Sequence, residues 1–318
     1  MRILITGGAG FIGSNLVSAL LKDERVSLVR VLDNLATGSM ANINEFLINE
    51  KFEFKEGDIR NYQTCLDACT GIDYISHQAA LGSVPRSIND PLTSNEVNIT
   101  GTLNIFNAAK ENNCKRVVYA ASSSTYGDYP GLPKVEDKIG NPLSPYAVTK
   151  YVNELYARVY ANLYGMEIIG LRYFNIFGPK QNPNGPYAAV IPLFAEALLK
   201  NMPPTINGDG SHSRDFTYVD NAVQANILSL FTNNKEAVNQ VYNIACGQQT
   251  SLLELFNGLK KEAGILLDPV YGPERKGDVK HSLADISKAK KNLGYNPAVS
   301  VQEGLTKTFN WYKEQFNK

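Results

Sequence analysis

Charge of one sign is what this chain most lacks: 31 Lys and Arg stand against 31 Asp and Glu in 318 residues. A balanced chain has no broad positive field of the kind that non-specific nucleic-acid or anionic-membrane binding needs. A local basic pocket for one phosphate group is not excluded. Cysteine is scarce too. Cys65, Cys69, Cys114 and Cys246 are scattered without framework spacing, which excludes a disulfide-stapled scaffold and suits a reducing compartment. Cys65 and Cys69 stand four apart on an expected helix, but no further Cys or His is near in sequence and zinc wants three or four ligands. We read them as buried, structural residues. The only histidines, His77, His212 and His281, have no ligand spacing, so no metal site is expected. No run of 18 apolar residues exists, and no membrane span is expected. Met1–Thr6 runs straight into glycines and reads as a strand rather than a signal peptide, so a cytoplasmic protein is expected.

What is present is alternation. The length is a soft prior for two domains, or for one large α/β domain with a lobe attached. Short β-branched runs at 3–5, 28–32, 52–54, 72–76, 117–121 and 168–172 are separated by segments of helical periodicity. Strands alternating with helices mean βαβ units and a parallel sheet. Such strands are covered on both faces and read as continuous apolar runs, as these do. After Phe174 the texture changes. Residues 177–192 and 201–210 are rich in Gly, Pro and Asn and read as substrate-binding loops. The expected fold is a Rossmann-type doubly wound sheet, residues 1–174 plus a segment returning near 215–245. A smaller C-terminal α/β lobe would comprise 175–214 and 246–318.

Gly7-Gly8-Ala9-Gly10-Phe11-Ile12-Gly13 follows the first expected strand and opens the first helix. A pyrophosphate can approach only bare backbone there, and a helix N-terminus supplies N–H donors and the positive dipole end. Asp33, about twenty residues on, suits the adenosine ribose hydroxyls and repels a 2′-phosphate. No Arg or Lys lies between Leu32 and Lys51, so NAD is favoured over NADP. Asp58-Ile59 could flank the adenine. Ser122 ends a strand, and Tyr146-Ala147-Val148-Thr149-Lys150 follows after Ser144-Pro145. Spacing i, i+4 places phenol and ammonium on one helix face. A lysine and a cationic nicotinamide should lower the phenol pKa from near 10 towards the working pH, making Tyr146 a base for alcohol oxidation.

With those residues the chain resembles the extended short-chain dehydrogenase/reductases, specifically nucleotide-sugar 4-epimerases. The likeness also runs through His77-Gln78-Ala79-Ala80, Asn98, Leu171-Arg172-Tyr173-Phe174-Asn175, Ser213-Arg214-Asp215-Phe216 and Arg275-Lys276-Gly277-Asp278. Through Gly82-Ser83-Val84-Pro85-Arg86-Ser87 and the serine strand it is most similar to bacterial UDP-N-acetylglucosamine 4-epimerases. The resemblance implies that Ser122 and Tyr146 are the catalytic hydroxyls and that Lys150 binds the nicotinamide ribose. It implies that Asn34, Gly38, Gln78, Ala79, Ala80, Asn98 and Tyr173 join the glycine turn, Asp33, Asp58 and Ile59 at NAD. It implies that Gly82, Ser83, Ser123, Ser124, Asn175, Ala189, Val190, Arg214, Arg275, Asp278 and Ser282 meet the UDP-sugar, and that helices like 93–111 and 146–164 pair in a homodimer. Dehydratase relatives carry an Asp-Glu pair where this chain has Ser123 and Ser124, which argues against dehydration. UDP-glucose and UDP-uronates stay open as substrates, since Ser83, Arg86 and Ser87 could greet a carboxylate. Small Gly82 and Ser282 would leave room for an N-acetyl group, with Ser282 as the gate. A non-catalytic NAD-binding regulator is the rival from another class.

Overall fold

The computed structural model describes residues 1–183, 188–274 and 280–316. The first half runs β1 (Arg2–Thr6), α1 (Phe11–Leu21), β2 (Leu28–Asp33), β3 (Phe52–Glu56), α2 (Tyr62–Cys69), β4 (Tyr74–His77), α3 (Val84–Asn89), α4 (Pro91–Asn95), α5 (Gly101–Glu111), β5 (Arg116–Ser122), α6 (Pro145–Tyr164) and β6 (Glu167–Tyr173). The second half runs β7 (Ile176–Phe177), α7 (Val190–Leu199), β8 (Thr205–Asn207), β9 (Ser213–Arg214), β10 (Thr217–Tyr218), α8 (Val219–Phe231), β11 (Val241–Ile244), β12 (Thr250–Ser251), α9 (Leu252–Ala263), β13 (Val270–Gly272), α10 (Ser287–Leu293) and α11 (Val301–Phe316). Seven parallel strands form the main sheet in the order β11-β6-β5-β4-β1-β2-β3. The order reverses beside β1, and open α/β sheets bind ligands in the crevice beyond the strand ends at such a point.

Strand alternation builds two cores. Ile3, Ile5, Val29, Val31 and Val118 face one layer together with buried residues of α1 and α8. Leu4, Leu32, Val117 and Tyr119 face the other, with residues of α2, α5 and α6. Successive side chains leave opposite faces of a strand, so one apolar run feeds both layers. Cys65, Cys69 and Cys114 are buried in the second layer as free thiols. Polar side chains tie the strands at their carboxyl ends. His77 is bonded at Nδ1 to Thr6 Oγ1 (2.6 Å) and at Nε2 to Thr102 Oγ1 (2.9 Å), and burial drives its pKa down to about 3, so the ring is neutral.

Two expected elements come out differently. The strand expected at 72–76 starts at Tyr74, because Ile72 closes the turn after α2 with its N–H on Cys69 O. The single helix expected over 93–111 starts earlier, at Pro91, and runs from α4 into α5 through a π-helical turn at Glu96–Thr100. That turn has π geometry, a device that re-aims a side chain within a helix. Here it turns Asn98 fully inward: Oδ1 accepts from Leu81 N (2.8 Å) and Nδ2 donates to Leu81 O (3.1 Å) and Thr149 Oγ1 (3.1 Å). The two stretches read as loops also contain structure: α7 begins at Val190, and β8 pairs with β13.

Candidate active site

A cleft of 560 Å³ opens at the carboxyl ends of the central strands. Gly7, Gly10, Phe11, Ile12 and Gly13 form its floor at the start of α1. The glycines are required by space. A Cβ on Gly7, which has φ +70°, would lie 2.6 Å from Ala79 N, and one on Gly13 would lie 2.2 Å from Gly7 O. Bare backbone at a helix start leaves N–H groups open to an anion. Asp33 ends β2 on the cleft wall. Its Oδ2 accepts from Ala9 N (2.9 Å) and its Oδ1 from Leu35 N (2.8 Å). A carboxylate oxygen has a further lone pair, so both oxygens can still accept from a ribose diol. Burial raises the Asp33 pKa while the two N–H groups pull it back. Asn34 Nδ2 donates to Asp58 Oδ2 (2.9 Å), and the Arg60 guanidinium holds Asp58 down at about 2.

The reactive groups meet on the opposite wall. Ser144 caps α6 through its hydroxyl on Ala147 N (3.1 Å), and Pro145 occupies the first turn, where its missing N–H is no loss. The helix then presents Tyr146 and Lys150 one turn apart, with the Lys150 ammonium 5.9 Å from the Tyr146 ring centre. Lys150 Nζ donates to Ala120 O (2.8 Å). Burial drives its pKa down to about 8. The Ser122 hydroxyl favours the Tyr146 phenolate, but desolvation outweighs this and the Tyr146 pKa is raised. The protein's own groups therefore do not supply the fall in pKa expected from the sequence, because burial of the phenol outweighs what favours its charged form. Ser122 Oγ also accepts from Ser124 N (3.1 Å) and Ser124 Oγ (2.8 Å), which leaves its own proton for Tyr146.

Beside the cleft lies a second cavity of 580 Å³, walled by α7 on its apolar side and by Thr205, Asn207, His212 and Arg214 on its polar side. Asn175, Ile176 and Gln181 line both spaces, so the two are neighbours. Asn175 adopts φ +39° there, held by its Nδ2 on Asp215 O (3.2 Å). Asp215 in turn is fully buried, accepts from the N–H groups of Cys246, Gly247 and Ala284, and is raised to about 6 by burial.

Of the expected cofactor residues, Ile59, Gln78, Ala79, Ala80 and Tyr173 also line the cleft, while Gly38 and Asn98 do not. Gly38 packs on the glycine turn, where a Cβ would meet Ala9 C at 2.8 Å, and Asn98 is spent on Leu81 and Thr149. Gly82 and Ser83 line the cofactor cleft, and Ala189, Val190 and Arg214 line the second cavity. Ser123, Ser124 and Ser282 line neither. Ser124 is turned onto Ser122, and the half-buried Ser282 takes Ser213 O with its N–H, its hydroxyl accepting from Asp215 N (3.4 Å). Ser87, expected within reach of a carboxylate, is instead fully buried, donating to Val84 O and accepting from Tyr146 N. Arg275 and Asp278 lie outside the described residues. Sequence reasoning missed Arg60, Thr93 and Gln181 on the cleft and Thr205, Asn207 and His212 on the cavity. For Thr205 and Asn207 a signal existed, a polar pair at strand spacing inside a stretch read as loop.

Residues 3–245 match the NAD dependent epimerase/dehydratase family. The chain belongs to that family. It is 40% identical over 315 residues, 98% of each chain, to a putative UDP-glucose 4-epimerase of Methanocaldococcus jannaschii. Among solved structures it is similar to a UDP-N-acetylglucosamine 4-epimerase of Methanobrevibacter ruminantium in complex with UDP-N-acetylmuramic acid, at 40% identity and TM-score 0.93 over 99% of this chain and 98% of that one. It is also similar to a Bacillus cereus UDP-glucuronic acid 4-epimerase in complex with UDP-glucuronic acid and NAD, at 34% identity and TM-score 0.90 over 99% and 100%.

Membership makes NAD the cofactor of this epimerase/dehydratase. The cleft fits it: the bare-backbone cradle suits a pyrophosphate, Asp33 a ribose diol, and Lys150 a second ribose. Among the described residues no three His, Cys, Asp or Glu side chains gather in a metal-binding group, and no helix is long and apolar enough to cross a membrane.

Proposed function

We propose that this protein interconverts UDP-N-acetylglucosamine and UDP-N-acetylgalactosamine, inverting the sugar at C4 through a transient 4-keto form. At the coarser level it is an NAD-dependent UDP-sugar 4-epimerase, an isomerase. The observation that carries the reading is that the cleft lined by Tyr146 and Ser122 shares Asn175, Ile176 and Gln181 with a neighbouring cavity. A nucleotide held in that cavity would deliver its sugar to the phenol.

In this reading Tyr146 takes the C4 hydroxyl proton as general base and returns it at the end of the cycle. Ser122, its oxygen loaded by two donors from Ser124, hands its proton towards Tyr146 and so favours the phenolate. Lys150 stands behind the phenol and anchors the cofactor ribose. NAD, when bound, supplies the hydride acceptor and gives the hydride back, and its positive ring favours the phenolate that burial alone disfavours. Asn175, Arg214, Ala189 and Val190 would grip the UDP, with Arg214 suited to phosphate oxygens by its fork of N–H groups. Firm binding of the remote nucleotide and loose holding of the hexose let the keto sugar turn over between two half-reactions. Ser123 and Ser124 are poor acids and bases, so dehydration is disfavoured.

For the sugar's C2 group the supporting feature is Gly82. It is exposed on the cleft, and a Cβ there would meet nothing within 4 Å. An N-acetyl group has room beside it. The test is a panel of UDP-glucose, UDP-N-acetylglucosamine and the two corresponding uronates, followed by NMR of the anomeric protons. Faster turnover of either uronate than of UDP-N-acetylglucosamine would sink the assignment.

The same reading includes a homodimer. Val148, Leu155, Val159 and Leu163 form one stripe along α6 and are 45%, 42%, 46% and 69% exposed. Exposed Ile88 and Leu92 add to the apolar surface presented by α3 and α4. An apolar stripe of this kind on a helix beside the active site supports self-pairing about a two-fold axis. Light scattering should give twice the mass of one chain.

A further inference from the structure

The second cavity holds a polar atom that no hydrogen bond satisfies among the described residues. His212 is only 6% exposed, and its Nε2 has no hydrogen bond among the described residues. Glu274 Oε1 lies 3.6 Å from it, just beyond hydrogen-bond reach, with Lys280 Nζ 4.0 Å from the same carboxylate oxygen. Buried donors and acceptors are nearly always paired, so an orphan on the wall of a cavity points to a partner that arrives with the ligand.

The backbone fixes where the imidazole goes. β9 pairs antiparallel with β12, Arg214 opposite Thr250 and Ser213 opposite Ser251, and the ladder continues with Leu252 N on His212 O (3.0 Å). Along an extended run, residues two apart share a face. His212 and Arg214 accordingly both line the cavity. Ser213 turns the other way, its hydroxyl 2.8 Å from His281 Nδ1. The pair is held from behind: Arg214 donates to the carbonyls of Ser213 and Lys280, both at 3.0 Å. The cavity thus carries an imidazole and a guanidinium side by side on one edge, facing the apolar wall of α7. A flat apolar wall suits a pyrimidine ring, and the cationic edge suits the phosphates attached to it.

We infer that His212 is a diphosphate-binding residue of this chain, its Nε2–H donating to a phosphate oxygen of the bound nucleotide next to Arg214. The inference deepens the proposed function and rests on its UDP-sugar reading of the cavity. An imidazole N–H pointing at a phosphate is a charge-assisted hydrogen bond. Because the contact is to a part of the substrate that does not react, it should act on binding and not on the chemical step.

The test compares wild type, H212L and H212Q, each as the NAD-loaded protein, by calorimetric binding of UDP, UMP and uridine and by epimerase kinetics. Leucine keeps the bulk and removes the donor; glutamine restores an N–H. In H212L the Kd for UDP should rise about tenfold, the size of one charge-assisted hydrogen bond, while uridine binding stays unchanged. KM should rise in step with kcat near the wild-type value, and H212Q should recover much of the loss. NAD content and melting temperature report whether each variant is folded; should H212L fail to fold, H212Q against wild type at UDP and uridine decides instead, a loss confined to UDP supporting the inference and none overturning it. Wild-type affinity for UDP retained in a folded H212L overturns the inference, and so does an equal loss for UDP and uridine, which would put the contact on the nucleoside. A wild-type protein that binds no UDP at all would instead bring down the underlying reading of the cavity.

Discussion

Replacing Lys150 by methionine should separate stability from function, and the structure says by how much and at what pH. Lys150 is 4% exposed, and burial lowers its pKa from 10.5 to about 8. At about 1.36 kcal/mol per pH unit, that fall corresponds to about 3 kcal/mol. The sign follows from proton counting. Between pH 8 and 10.5 the unfolded chain keeps the lysine proton and the native state does not, so the wild type gains stability as pH rises through this window. Below pH 8 both states are charged and the desolvation penalty is borne in full. K150M has no such group. Relative to K150M, the wild type should therefore gain up to about 3 kcal/mol between pH 8 and 10.5 and show a flat difference below 8. The lost hydrogen bond to Ala120 O offsets K150M by about 1 kcal/mol at every pH, since a neutral amine still donates. Urea unfolding of the cofactor-free proteins at half-unit pH steps, read by the fluorescence of the single tryptophan, Trp311, measures the difference. Titration of tyrosines and thiols is common to both chains and cancels. Parallel stability curves from pH 7 to 10.5 would refute the argument that Lys150 is held against a desolvation penalty. Turnover by K150M should be nearly lost over the whole range, the pattern of a site that trades stability for chemistry.

Two further outcomes follow from the same geometry. Tyr146→Phe keeps the ring and removes the acid–base group, so kcat should fall about 10²–10⁴-fold while UDP binding persists; turnover near the wild-type rate would remove Tyr146 from the mechanism. Arg172 and Glu154 form a bidentate pair (2.8 and 2.7 Å) with side chains only 4% and 6% exposed, clamping α6 to β6. Glu154→Leu should cost about 3–5 kcal/mol by leaving a buried guanidinium unpaired, and adding Arg172→Leu should recover most of it; equal losses in single and double variants, measured by urea unfolding, would show that the pair is not the origin of the effect.

How much of this could be read before the fold was known depends on the range of the forces involved. The glycine turn, Asp33 at the end of β2 and the Tyr146–Lys150 spacing are local: steric freedom, strand alternation and the 3.6-residue turn act over a few residues, and those residues stand together on the cleft. The alternation of apolar runs and helical segments likewise made six of the seven parallel strands legible. Directions set by distant partners were not. Asn98 belongs by position to the cofactor residues, yet a π turn spends it on Leu81 and Thr149, neither of them near it in sequence. Ser87 lies in a segment that looks open to substrate, yet it holds the first turn of α6, 59 residues away, through Tyr146 N.

The amino-acid order alone therefore established the kind of chemistry: a dinucleotide cradle, a phenol with an ammonium one turn behind it, and a strand-end hydroxyl, each defined by neighbours along the chain. Folding settled what those groups experience and what stands across from them. Burial sets Lys150 low and Tyr146 high, Asn175 comes to line two neighbouring cavities, and the unsatisfied ring of His212 comes to lie beside Arg214. Desolvation and convergence are sums over atoms far apart in sequence, so no local pattern encodes them.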